Sequence, residues 1–140
     1  MQVDIKWKGN VHFTGTTGSG HTVAMDGPPD SGGENLGSRP MELMLVGLGG
    51  CTAFDVVDIL RKGRQAVDDV EVAIKAQRAD AIPAVFEAIE VHFVIVGTGI
   101  NSDKVARAIE LTAEKYCSAS IMLERAGVKI SHTFEIKEPQ

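Results

Sequence analysis

Residues 41–60 read MELMLVGLGGCTAFDVVDIL, and this stretch decides the fold. On a helical wheel its apolar residues cover every face, at positions 41, 43–46, 48, 53, 54, 56 and 57. A helix that is apolar all round must be covered on all sides. In an α+β domain of 140 residues one sheet covers only one side. The stretch therefore predicts a central helix whose other faces are covered by a second copy of the chain.

Residues at each end of this stretch predict the limits of the helix. Ser38 or Arg39 can cap it, Pro40 is tolerated in a first turn, and the Glu42 carboxylate favours the positive end of the helix dipole. Gly63 is a plausible stop.

Alternation of apolar and polar residues predicts strands on both sides of the helix. The order βββ-α-ββ-α-α-β indicates one α+β domain over residues 1–140 with a largely antiparallel sheet. Residues 3–7 alternate strictly and predict a half-buried first strand, while Asp103–Tyr116 predicts a second helix supported by an Asp103–Arg107 pair. The Gly- and Pro-rich residues 27–37 predict a loop, either a cover over a site or a plain surface linker.

Composition excludes several classes of function. The chain carries a formal net charge of −5 and scattered basic residues, which does not favour nucleic acid or an anionic membrane. Its first ten residues lack the apolar core of a secretory signal, and the uncharged run that ends at Phe54 is too short to span a bilayer. We therefore expect a cytoplasmic protein whose two cysteines, Cys51 and Cys117, are thiols.

Familiar cofactor and catalytic motifs are missing. Neither GTTGSG (15–20) nor GLGG (47–50) has the strand and helix context of a nucleotide site, and no GxSxG is present. The four histidines share no ligand spacing. The two cysteines lie 66 positions apart without a CxxC and do not look like zinc ligands. No metal or organic cofactor is expected.

The thiols leave alternatives open. Cys51 is either a small buried hydrophobe or a reactive sulfur. Gly47, Gly49 and Gly50 precede it, and three helical glycines need a reason, such as close approach of another helix or space for a small molecule. Cys117 lies just before a third helix, beginning at Ser118, whose dipole would favour a thiolate.

Two segments carry a family resemblance. RPMELMLVGLGGCTAFDVV (39–57) and EKYCSASI (114–121) resemble the OsmC/Ohr family of osmotically induced and organic-hydroperoxide-resistance proteins, in particular a divergent, YhfA-like branch. The resemblance implies an intertwined homodimer, with two six-stranded sheets wrapped round paired central helices. It also implies a thiol peroxidase that reduces small organic hydroperoxides. Cys51 would be the nucleophile and Cys117 the resolving thiol, with the resulting intramolecular disulfide reduced by a dithiol.

The chain departs from the family pattern near the start of the central helix. The family pairs an arginine from the early strands with a glutamate directly after the proline, but Met41 follows Pro40 here and residues 1–38 contain no arginine. Arg39 could replace that arginine as activator of the thiolate, with Glu42 orienting it. Asp55, one turn beyond Cys51, would raise the pKa of the thiol if it points the same way.

Two other functions stay open. One is a non-catalytic dimer whose apolar seam, lined by Met41, Met44, Leu45 and Phe54, binds a small hydrophobic molecule. The other is acyl or thiol transfer by Cys51 alone.

Overall fold

The computed structural model describes residues 1–140 and confirms the α+β class. Its strands and helices follow in the predicted order: β1 (Val3–Trp7), β2 (His12–Thr17), β3 (Thr22–Asp26), α1 (Pro40–Lys62), β4 (Ala66–Arg78), β5 (Phe86–Thr98), α2 (Ser102–Leu111), α3 (Ser118–Arg125) and β6 (Lys129–Lys137). The chain divides into two compact units, Met1–Val46 and Gly47–Gln140.

The first unit contains an antiparallel sheet in the order β1-β2-β3. Asn10 and Gly9 both have positive φ, 50° and 101°, and they make the tight turn from β1 to β2. The prediction that β1 is half-buried is wrong within one chain, because Val3, Ile5 and Trp7 are 57–64% exposed. The physical reason is that β1 is an edge strand that pairs with β2 alone.

Residues 27–37 form an ordered loop held by one buried carboxylate. Asp26, which is 2% exposed, accepts hydrogen bonds from the backbone N–H groups of Gly27 (2.8 Å), Glu34 (2.9 Å) and Leu36 (3.0 Å). The side-chain amide of Asn10 donates to the carbonyl of Gly32. A floppy linker is therefore the wrong interpretation of this segment.

Helix α1 begins and ends through local hydrogen bonds. Arg39 caps it and Pro40 is its first residue, while the Glu42 carboxylate accepts the backbone N–H of Arg39 at 2.8 Å. At the other end, the N–H of Gln65 donates to the carbonyl of Leu60 at 2.9 Å. The left-handed residue of this stop is Arg64, with φ 58°, and not the predicted Gly63.

One stripe of α1 is buried within the chain. Leu48, Thr52, Val56 and Leu60 recur every four residues and are almost fully covered. On the other faces Met44, Val46 and Phe54 are exposed, Phe54 to 71%, and the remaining large apolar side chains are half-buried. The 23-residue helix is longer than the uncharged run considered above, so by length and composition it could cross a membrane, a property it shares with core helices of soluble proteins.

The second unit is built on β5. This strand pairs antiparallel with β4 and parallel with β6, and its side chains Ile89, Val91, Phe93 and Ile95 form the core. The predicted second helix is shorter than expected, because α2 ends at Leu111 and one π-helical turn continues to Tyr116. Arg107 pairs with Glu110 at 3.0 Å instead of with Asp103.

Replacing Asp26 with Asn will lower the melting temperature at neutral pH. Its hydrogen bonds from Leu36, Glu34 and Gly27 hold the pKa of Asp26 below its ordinary value. The ionised carboxylate therefore adds its full stabilisation of the folded state above the ordinary pKa of an aspartate. This stabilisation is lost as the pH falls through the lowered pKa of Asp26. Thermal unfolding of both proteins across acid pH should show their melting temperatures converging.

Asp30→Asn is the matched control, because Asp30 is an exposed carboxylate in the same loop. A melting-temperature loss that is equal in the two variants, or independent of pH, would contradict the role given to Asp26.

Candidate functional site

Cys51 lies near the middle of α1, in the second unit, where β4 approaches the helix closely. A methyl group at Gly49 would lie 3.1 Å from Cδ1 of Ile74, so the absence of a side chain there allows this approach. Gly47 and Gly50 have no heavy atom within 4 Å of the position of a Cβ, which leaves open space beside the helix. Cys51 itself is half-buried.

Cys117 is placed by the π-helical turn that follows α2. Its N–H donates to the carbonyl of Thr112 at 2.8 Å, and the chain then enters α3. The Cys117 sulfur accepts the N–H of Ser120 at 3.4 Å and so caps α3, as its place before that helix predicted. The residue is fully buried.

The fold brings the two cysteines together with a carboxylate. The sulfurs of Cys51 and Cys117 and a carboxylate oxygen of Asp55 all lie within 4.8 Å of one another. Asp55 follows Cys51 by four residues, which places both on one face of α1. The sequence pointed to Asp55 only as a neighbour of Cys51. We call these three residues the thiol–carboxylate cluster.

Buried threonines hold the carboxylate in this cluster. The Thr112 hydroxyl donates to Oδ2 of Asp55 at 2.8 Å, and the hydroxyls of Thr52 and Thr112 are 3.4 Å apart. Both threonines are at most 2% exposed. Because Thr112 also accepts the N–H of Cys117 through its carbonyl, one residue links Asp55 to Cys117.

Burial raises the pKa of Cys117 to about 11. The N–H of Ser120 acts in the opposite direction, and the neighbouring Cys51 and the negative charge of Asp55 add to the increase. The expectation that the α3 dipole favours a thiolate at Cys117 is therefore wrong for the reduced protein, since removal from water outweighs the single N–H···S contact. The raised pKa favours the protonated form of the Cys117 thiol at neutral pH.

Arg39 and Glu42 lie in the first unit and make local contacts. The Arg39 guanidinium donates to Oδ1 of Asn35 at 3.3 Å and to the carbonyl of Gly37 at 3.2 Å. Glu42 contacts the backbone N–H of Arg39 and makes no ion pair with its guanidinium. The orienting contact predicted for this pair is thus replaced by a helix cap. Activation of Cys51 by Arg39 stays a prediction.

A shallow surface cavity of about 330 Å³ lies beside α1 in the second unit. Its walls are mainly apolar and include the exposed ring of Phe54, one of the residues predicted to line a ligand seam. The lining residues are Gly50, Ala53, Phe54, Val57, Asp58, Arg61 and Val70.

Comparison with known proteins gives consistent matches along the chain. A family model described as OsmC-like protein matches residues 32–133. The Protein YhfA of Escherichia coli (strain K12) is 45% identical over 136 residues, which are 97% of this chain and 98% of YhfA.

Solved structures share the fold. A hypothetical protein from Aquifex aeolicus VF5 is 31% identical, with a TM-score of 0.86 over 99% of this chain and 97% of that one. A Legionella pneumophila structure described as an organic hydroperoxide resistance protein OsmC is 18% identical, with a TM-score of 0.72 over 96% of this chain and 97% of that one. At that identity it shows the fold alone.

Proposed function

The chain belongs to the OsmC-like protein family, and from this premise we propose that it is a thiol-dependent peroxidase for small organic hydroperoxides. One observation carries the proposal. Two cysteines that are 66 positions apart in the sequence have their sulfurs within 4.8 Å of each other. Formation of a bond of about 2.05 Å between them requires a local movement and no rearrangement of the fold.

Cys51 is the proposed nucleophile because it is the less buried of the two thiols. Its thiolate attacks the terminal oxygen of the hydroperoxide, a sulfur–oxygen bond forms and the oxygen–oxygen bond breaks. The alkoxide leaves and takes a proton, so that an alcohol is released. The sulfur loses two electrons and becomes a sulfenic acid.

Cys117 is the proposed resolving thiol. Its sulfur attacks the sulfenic sulfur of Cys51, the disulfide forms, and the sulfur–oxygen bond breaks with release of water that carries the Cys117 proton. Full burial of Cys117 keeps it from competing with Cys51 for the hydroperoxide in the first step. A dithiol then reduces the disulfide to two thiols and is itself oxidised to a disulfide.

Arg39 is the proposed activator of the Cys51 thiolate, since a fixed positive charge lowers the pKa of a thiol. Glu42 supports it indirectly, because its cap fixes the backbone of Arg39 at the start of α1. No organic cofactor takes part in these steps.

The proposed active form is a cytoplasmic homodimer in which all 140 residues act as one domain. The exposed apolar residues of α1 and those of β1 support the dimer, because large apolar side chains that one chain leaves exposed can be covered at an interface between two chains. A second copy would cover the faces of α1 that the chain leaves open, as the helical wheel predicts.

A second candidate function is binding of a small hydrophobic molecule without turnover. The cavity beside Phe54 favours it. Binding of such a molecule requires neither thiol. Acyl or thiol transfer by Cys51, the third possibility, does not require Cys117. The cysteine variants described next therefore separate all three.

One equivalent of cumene hydroperoxide should oxidise both thiols of the reduced, chelator-treated protein. Intact-mass spectrometry should show the loss of two hydrogens per chain, with a matching loss of free thiols. Cys51→Ser should be inert because the nucleophile is missing. Cys117→Ser should stop at a sulfenic acid on Cys51, which dimedone traps.

Unchanged thiols in the native chain would contradict the peroxidase and leave the binding function. An equally fast oxidation of Cys51→Ser would contradict the order of the two thiols. Arg39→Gln should slow the first step. Arg61→Gln is its control, because Arg61 is an exposed arginine in the last turn of α1.

Replacing Phe54 with Glu should dissociate the dimer. The ring is 71% exposed in one chain, and a carboxylate in its place would be buried at the interface without a partner. We expect the dimer dissociation constant to rise at least tenfold, about 1.4 kcal/mol. Light scattering coupled to gel filtration measures the shift from twice the 14.9 kDa chain mass to one chain mass.

Phe54→Leu is the matched control, since it keeps an apolar side chain and should stay dimeric. A native chain that elutes as a monomer at micromolar concentration would contradict the proposed dimer.

A further inference from the structure

The thiol–carboxylate cluster combines three electron-donating atoms without a positive partner. Asp55 takes part in none of the ion pairs of the chain, and its one hydrogen bond comes from the neutral hydroxyl of Thr112. For a site meant only to stabilise a thiolate, a carboxylate within 4.8 Å of both sulfurs is unfavourable. A divalent cation between the three atoms would make their closeness favourable, because each atom would then be attracted to the cation.

We infer that Cys51, Asp55 and Cys117 bind one zinc ion in the reduced protein. Two sulfur donors and one carboxylate oxygen suit zinc, whereas magnesium and calcium prefer oxygen ligands alone. Two sulfurs bound to a tetrahedral zinc at about 2.3 Å lie about 3.8 Å apart. The donor atoms are already within 4.8 Å of one another, so rotation of the side chains that moves the sulfurs about 1 Å closer brings them to this separation.

The surroundings of the donors resemble the outer shell of a metal site. Ligating carboxylates are usually fixed by a second hydrogen bond, and Thr112 supplies one to Asp55 at 2.8 Å. The N–H of Ser120 points at the Cys117 sulfur, 3.4 Å away, and a backbone donor in that place stabilises a bound thiolate. Two ligands come from one face of α1 and the third from the cap of α3, which the fold fixes independently of any ion.

The 66-residue spacing of the cysteines did not predict a zinc site, but the fold brings the two sulfurs close together. Local motifs such as CxxC are needed only where one turn must supply two ligands. Here a helix supplies Cys51 and Asp55 four residues apart, and the π-helical turn brings Cys117 to them. Three protein ligands leave the fourth position of a tetrahedral zinc for water or a small ligand, and Cys51 and Asp55 are only half-buried.

Zinc binding has a defined proton balance and does not depend on the proposed peroxidase. Zinc binds both sulfurs as thiolates and the carboxylate in its ionised form, so each proton that the thiols carry in the metal-free protein is released on binding. Oxidation of either sulfur removes a ligand. Bound zinc and a Cys51–Cys117 disulfide are therefore mutually exclusive states of the same cluster.

Competition with a chromogenic zinc chelator tests the site in the reduced, metal-free chain. We expect one zinc per chain, release of protons on zinc binding in weakly buffered solution, and a dissociation constant at least tenfold higher in Asp55→Asn. Asp58→Asn is the matched control, because it removes the same charge from the same helix at a position that pairs with Lys62. Its zinc affinity should equal that of the native chain.

Equal affinities in Asp55→Asn and the native chain would overturn the inference, as would half a zinc per chain. Cobalt(II) gives a test that requires no variant. A tetrahedral spectrum with thiolate-to-cobalt charge-transfer bands is expected, and a weak octahedral spectrum without them would overturn the site. Failure of hydroperoxide to oxidise the metal-free thiols would reject the peroxidase and leave these zinc measurements unaffected.

Discussion

Burial of one stripe of α1 is the constraint on which the second unit depends. Leu48, Thr52, Val56 and Leu60 turn that stripe toward the core, and the helix then has no freedom to rotate. Cys51 and Asp55 adjoin the stripe, so its burial also directs them toward Thr112 and Cys117. The same packing therefore stabilises the second unit and positions the thiol–carboxylate cluster.

The chemistry of the thiol–carboxylate cluster depends on the source of positive charge near its two sulfurs and its carboxylate. A positive neighbour stabilises a thiolate, whereas here a carboxylate oxygen of Asp55 lies within 4.8 Å of both sulfurs. Arg39 provides a cation at the start of α1, with its guanidinium held by Asn35 and Gly37. The two proposals differ in the source of positive charge for the sulfurs: the proposed peroxidase would use Arg39, and the proposed zinc site would use the ion itself.

Much of the fold could be predicted from the sequence because its signals are local. Alternation located the strands, Pro40 and Glu42 located the start of α1, and the helix that begins at Ser118 was expected just after Cys117. The failures come from interactions that a local pattern does not contain. Asp26 reaches N–H groups as far as ten residues away in sequence, and exposure of β1 depends on which strands lie beside it.

The site was predictable in its residues and not in its geometry. Both cysteines stood out from the sequence, but the π-helical turn from Thr112 to Tyr116 is what brings Cys117 to Asp55, and its sequence TAEKY continues an ordinary helix. Burial likewise raises the pKa of Cys117, and burial depends on the complete fold.

Both proposals require Cys51 and Cys117 of the same chain to lie side by side in the reduced, folded protein. Dibromobimane tests it directly, because this reagent becomes strongly fluorescent when it links two neighbouring thiols. We expect one fluorescent bridge per chain, mapped by peptide mass spectrometry to Cys51 and Cys117 and found within single chains on a denaturing gel. Two separately labelled cysteines, or bridges only between chains, would contradict it.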